Sequence, residues 1–325
     1  MNNAIRDGDR RLHVLVATAL PDFVAADLSD AFDVTFATEG TSADRLSLAG
    51  GCDALLVSLD VRLDRATIAA LPASVRALAT YSVGLDHIDV DFARARGIPV
   101  FNTPGVLAPS VAEAAMLLML GAARRATESI ALARSGEWRG WTARQLVGVS
   151  LAGRKLAILG MGGIGRAVAK RARGFDLEIL YHSRTRVPEE EALGATWVDN
   201  MDDLLPQADV VVLACPSTAE TRHFINAGRL AGARRGLIVV NVGRGDLVDD
   251  TALLSALRDG TVGAAGLDVF SGEPQIDPGY LKAPNVFLTP HIGSSTVEAR
   301  RGMGFMLIDA LRAWSSQAAG GGGGS

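Results

Sequence analysis

Three ionisable residues stand just beyond apolar runs in the second half of the chain: Arg244 in NVGRGDLVD, Glu273 in DVFSGEP and His291 in LTPHIGSS. Histidine titrates near neutrality and suits proton transfer at a reacting oxygen. In open α/β sheets ligands bind beyond the carboxyl ends of the strands, where all three would stand. Singly, each has an ordinary reading as a surface ion pair, a turn carboxylate or a satisfied histidine. What joins them is the stretch KLAILGMGGIGRAVAKRA, with Gly160, Gly162 and Gly165 at G-x-G-x-x-G spacing between an apolar strand and a helix, and Gly163 and Ile164 inside the same loop. Glycine there lets the chain turn sharply, admits a pyrophosphate without an obstructing Cβ, and allows helix to pack on strand. The helix N-terminus then presents N–H groups to phosphates. A dinucleotide is the expected ligand.

The next strand, ending EILYHSRTR, bears on which dinucleotide. NAD-selective sites usually carry Asp or Glu at its end, about 20 residues past the glycines. Here Ser183 occupies that position, Arg184, Thr185 and Arg186 follow, and no carboxylate comes before Glu189. Such a field suits a 2′-phosphate. The expectation is NADP(H), with NAD(H) as the alternative.

The elements that must position these residues form two βα series. LHVLVAT, DVTFAT, DALLVS, VRALATYS and IPVFN alternate with helical segments in the first half, and KLAILG, EILYHS, ATWVD, ADVVVLAC, GLIVVNVG, GAAGLDVF and NVFLTP do so in the second. Strands apolar nearly throughout belong to parallel sheets covered on both faces. The predicted fold is α/β: two doubly wound, Rossmann/flavodoxin-like domains with an interdomain cleft. Residues 1–101 plus 292–318 form a substrate-binding domain, and residues 102–291 a dinucleotide-binding domain. Ser110 to Gly136 reads as one helix of about seven turns, and the final helix is expected to return to the first domain. The glycine-rich residues 319–325 read as a flexible linker.

Composition narrows the function. A chain of 325 residues with 48% apolar content suits two domains. A formal net charge of -4 argues against a nucleic-acid surface. The two cysteines, Cys52 and Cys215, lack metal or disulfide spacing, so two buried, reduced thiols and no metal site are expected. The N-terminal MNNAIRDGDRR has no apolar signal core, and the apolar runs are too short to span a bilayer, so the expectation is a cytoplasmic protein without a membrane partner.

GMGGIG, NVGRG, GLDVF followed by Glu-Pro, and TPHIGS resemble the D-isomer-specific 2-hydroxyacid dehydrogenase family, over essentially all of Leu12 to Trp314. The resemblance implies hydride transfer from the nicotinamide to a small 2-keto acid. His291 would be the acid/base, Glu273 its partner, and Arg244 the holder of the substrate carboxylate. It further implies cofactor contacts at Cys215, Pro216, Val242, Asp268 and Gly293. In YSVGLDHID, the backbone N–H groups of Val83 and Gly84 would receive the substrate carboxylate, with closure about the Asn102 and His291 crossovers. Phosphite dehydrogenases typically carry lysine where Val83 stands, and formate dehydrogenases glutamine where Glu273 stands. The basic YHSRTR segment resembles NADPH-preferring glyoxylate and hydroxypyruvate reductases. The family also implies a homodimer embraced through the long helix and a Glu137-Trp138 arm. A phosphoglycerate dehydrogenase without a regulatory domain and a nucleotide-sensing corepressor-like protein are the alternatives, the latter because fold alone does not give function.

Overall fold

The computed structural model describes residues 11–320. The N-terminal residues 1–10, and the part of the expected linker from residue 321, lie outside the described residues. The chain divides into two compact units: residues up to Leu107 joined by the segment from Thr296, and Ala108–Ser295.

In the first unit β1 (His13–Val16), β2 (Asp33–Phe36), β3 (Ala54–Val57), β4 (Ala77–Thr80) and β5 (Val100–Phe101) form a parallel sheet in the order β2-β1-β3-β4-β5. This is the flavodoxin-like winding. Both faces are covered, which is why the strands are apolar at both parities. Leu15, Leu55 and Leu78 enter one core with Ile68 and Ile98. Val14, Val16 and Leu56 enter the other with Leu28, Met303, Leu307 and Leu311. The last three lie on one stripe of the helix Val297–Gly320, at helical spacing.

The stretch after β5 stays with this unit. The Thr103 N–H donates to Ser82 O at 3.0 Å, and Val106 and Leu107 pack on the second core. The first crossing therefore falls at the start of the helix Ala108–Ala123, later than Phe101, and the second falls after Ser295.

The second unit contains β6 (Lys155–Leu159), β7 (Glu178–His182), β8 (Ala195–Trp197), β9 (Val210–Leu213), β10 (Leu237–Asn241), β11 (Val262–Leu267) and β12 (Val286–Leu288), paired in parallel as β12-β11-β10-β9-β6-β7-β8. The order reverses between β6 and β9, which is the Rossmann switch point, where open α/β sheets bind ligands beyond the carboxyl ends of their strands. Helix Ala108–Ala123 lies close on β11: a Cβ at Gly266 would stand 2.6 Å from Leu118 O.

The single long helix expected from Ser110 to Gly136 is two helices, Ala108–Ala123 and Ala126–Ser135. The break has a tertiary cause as well as a local one. The Ala123 carbonyl accepts from the Val149 N–H at 2.9 Å, and Arg125 adopts a left-handed conformation, φ 55°, with its Nε donating to Glu128 at 2.8 Å. Among the described residues, no helix is long and apolar enough to cross a membrane.

Leu307 is fully buried between the final helix and the β1–β4 sheet. Leu307→Ala is expected to cost about 2–5 kcal/mol, read as faster hydrogen exchange at β1 and β4 amides and a lower urea midpoint. An unchanged midpoint contradicts this packing.

Candidate active site

The glycine loop leaves β6 at the switch point. Gly160 has φ 97°, and a Cβ on it would lie 2.7 Å from Cys215 Cβ, across the gap to the end of β9. A Cβ on Gly165 would lie 2.0 Å from Gly160 O, so only glycine lets the helix Gly163–Ala172 start so close to the strand. At Gly162 a Cβ would meet nothing within 4 Å, and no side chain caps the helix that begins there. An open backbone surface ending in uncapped N–H groups fits a pyrophosphate, so these residues suit the dinucleotide that the sequence implies. Cys215 and Pro216 follow β9 beside this loop. Both cysteines are free, Cys52 buried and Cys215 partly exposed, and burial pushes the Cys215 thiol up to about 11.

Arg244, Glu273 and His291 follow β10, β11 and β12, successive strands of the same sheet edge. His291 Nδ1 lies 2.6 Å from Glu273 Oε2, which leaves Nε2 for chemistry. The other Glu273 oxygen accepts from the Phe270 N–H at 2.7 Å. Partial burial would raise the Glu273 pKa, but it is outweighed. The bonds from His291 and the Phe270 N–H, with the charges of His291 and Arg244, hold the carboxyl below its ordinary range. Gly245 brings the arginine loop against this turn: a Cβ there would stand 1.9 Å from the Phe270 carbonyl carbon.

Two residues support this site in ways that the sequence did not show. Buried Asn241 donates through Nδ2 to Arg244 O at 2.8 Å and accepts from the Gly243 N–H at 3.0 Å, fixing the loop that includes Val242. Asp268, expected as a cofactor contact, is 2% exposed. Its Oδ1 accepts from Thr289 Oγ1 at 2.5 Å and the Ile292 N–H at 2.8 Å, and its Oδ2 from the Gly293 N–H at 2.7 Å. These donors bracket His291, whose own N–H donates to Asp268 O at 2.8 Å and whose φ is 52°. The invitation in the sequence was the adjacency of Asp268 to a strand end, but nothing in spacing shows which loop it holds.

The basic turn lies beyond β7, on the opposite side of the switch point. Ser183 Oγ donates to Thr185 O at 2.7 Å. Arg186 is engaged by Glu190, with Nε 2.7 Å from Oε2, whereas no protein group pairs with the exposed Arg184 among the described residues. The Tyr181 hydroxyl donates to Glu190 and is the first cause that holds this carboxyl below its ordinary range, burial opposing and Arg186 assisting. In the first unit, Val83 and Gly84 sit on the loop after β4, where Val83 O accepts from Asn102 Nδ2 and Gly84 O from Ser82 Oγ, each at 2.8 Å. No metal-binding cluster occurs among the described residues.

A Rossmann-ordered unit with a dinucleotide loop, and a histidine–glutamate pair beside an arginine at its strand ends, define a nicotinamide-dependent oxidoreductase. The chain belongs to the D-isomer specific 2-hydroxyacid dehydrogenase family, whose NAD binding domain profile matches residues 116–293. It is 42% identical over 306 residues to a glycerate dehydrogenase of Hyphomicrobium methylovorum, covering 92% of this chain and 95% of that one. A solved structure from Polaromonas sp. JS6 66 superposes with a TM-score of 0.90 at 42% identity, covering 95% of this chain and 97% of the other. An NADPH-dependent glyoxylate/hydroxypyruvate reductase of Sinorhizobium meliloti, solved with NADP and malonate, gives 0.82 at 35% identity, covering 94% of each.

The depressed Glu273 pKa has a pH signature. A carboxyl held low in the folded state adds stability that is complete above its unfolded pKa, about 4.3, and is lost as pH falls through the lower folded value. The Tm difference between wild type and Glu273→Gln should therefore shrink as pH drops below about 4. A difference that widens there refutes the pairing.

Proposed function

We propose that this protein reduces glyoxylate to glycolate and hydroxypyruvate to D-glycerate, using NADPH in preference to NADH. The His291–Glu273 pair beside Arg244 carries this reading. Bound nicotinamide supplies the hydride. His291 Nε2 gives a proton to the keto oxygen as the hydride reaches the adjacent carbon. Glu273 fixes the ring and stabilises the imidazolium. Arg244 holds the substrate carboxylate and polarises the carbonyl. The loop Gly160 to Gly165, Cys215, Pro216, Val242 and Gly293 form the cofactor surface, and buried Asp268 acts from behind it by holding the Gly293 N–H. Ser183, Arg184 and Thr185 receive the 2′-phosphate.

Two relatives support the substrate class. One is named for glycerate, whose oxidation gives hydroxypyruvate, and the other for glyoxylate and hydroxypyruvate with NADP bound. A homodimer is also proposed, since Trp138 and Trp141 are 59% and 82% exposed on the arm that follows Ser135. Light scattering should give twice the chain mass, and a monomer at micromolar concentration overturns it.

The activity is tested by NADPH absorbance loss over a panel of 2-keto acids, repeated with NADH. Glyoxylate and hydroxypyruvate are expected to give the highest kcat/KM, with a preference of about tenfold or more for NADPH. His291→Ala should lower kcat by about 10²–10⁴-fold and leave cofactor affinity intact. Cofactor binding without turnover on any keto acid, or a clear NADH preference, defeats the corresponding part of the reading.

A further inference from the structure

The turn that follows β7 is closed before any cofactor reaches it. Tyr181 is fully buried in the middle of the strand, yet its hydroxyl reaches the far side of the loop. There it accepts from the Val187 N–H at 3.0 Å and donates to Glu190. Glu190 in turn takes both Nε and Nη2 of Arg186 at 2.7 Å, and the Arg186 guanidinium lies 6.0 Å from the Trp197 ring centroid. His182 Nδ1 pairs with Val198 O at 2.9 Å, and the Tyr181 carbonyl accepts from the Val198 N–H at 2.8 Å, so β8 braces the base of the same loop. Val187 is buried at its far end. The two arginines of the turn therefore differ in kind: Arg186 has its charge already matched by Glu190, and Arg184 is exposed with no protein partner among the described residues.

We propose that Tyr181 and Glu190 are positioning residues for cofactor discrimination: they withhold Arg186 and hold the turn so that Arg184 alone is presented to a 2′-phosphate. This rests on the NADPH reading above. The physical basis is preorganisation. A loop ordered in advance loses less conformational freedom on binding a dianion, and a guanidinium neutralised by a carboxylate has little attraction left for a second anion. Neither tyrosine nor glutamate touches the cofactor in this arrangement. Both act through the backbone from Ser183 to Val187.

The test compares dissociation constants of 2′-phospho-AMP and AMP, by displacement of bound NADPH fluorescence, across wild type, Arg184→Ala, Arg186→Ala and Tyr181→Phe. Arg184→Ala should cut the preference for 2′-phospho-AMP by about tenfold or more, the effect of losing a charge-assisted bond. Arg186→Ala, a surface substitution, should change it by less than about twofold. Tyr181→Phe keeps the ring and removes only the hydroxyl. It should cut the preference by about threefold or more while AMP binds as before. A wild type without preference, unmoved by Arg184→Ala, overturns the NADPH reading and this inference with it. If the preference exists and depends on Arg184, this inference alone fails in two cases: Arg186→Ala costs as much as Arg184→Ala, or Tyr181→Phe weakens both nucleotides equally or neither.

Discussion

A carboxylate as deeply buried as that of Asp268 has no water to solvate it, and its charge is tolerable only where protein donors replace that water. Thr289 Oγ1 and the N–H groups of Ile292 and Gly293 do so, and they lie on both sides of His291 in the chain. Releasing any one would leave the buried charge underbonded, at a cost on the order of a few kcal/mol. The loop after β12 is thus committed to one shape. That commitment explains why His291 accepts a left-handed backbone, φ 52°, which costs an ordinary L-residue about 1–2 kcal/mol. From that backbone the imidazole turns Nδ1 to Glu273, so the fold fixes which ring nitrogen the carboxylate engages.

The sheet order then distributes the work along one edge. From β12 towards β8 the strand ends carry His291, the Asp268–Glu273 turn, Arg244, Cys215 with Pro216, the glycine loop, and Ser183 to Arg186. The dinucleotide loop sits at the reversal between β6 and β9, with Arg244, Glu273 and His291 on one side and the basic turn on the other. Parallel pairing is what permits this, because every strand delivers its following loop to the same edge.

Much of this was legible in the sequence. The strands could be read because burial on both faces makes them continuous apolar runs, and the glycine loop because close backbone approach tolerates no other residue. Gly165, where a Cβ would meet Gly160 O at 2.0 Å, is such a position. Arg244, Glu273 and His291 could be named because they follow strands, which fixes their edge. Tertiary competition was not legible. Nothing local announces that Val149 will take the Ala123 carbonyl and end a helix whose residues favour continuing. Nor does a basic segment reveal which arginine is spent on Glu190. Asn241 looks like an ordinary polar residue at a strand end, and the part Asp268 plays lies in partners up to 25 positions away.

The two ends of the edge differ in burial, and so in what a substitution costs the fold. At the β10–β12 end, inaccessible Asn241 braces its own loop and inaccessible Asp268 ties the loop after β12 to the end of β11, so a change at one residue disturbs the groups it holds. At the β7 end, Arg184, Thr185 and Arg186 are exposed, where water screens each charge and a single ion pair contributes little to stability. Substitution in the basic turn therefore costs the fold little, while substitution around His291 disturbs several loops at once. The basic turn and the His291 loop thus share a sheet edge while differing in how much of the fold depends on them.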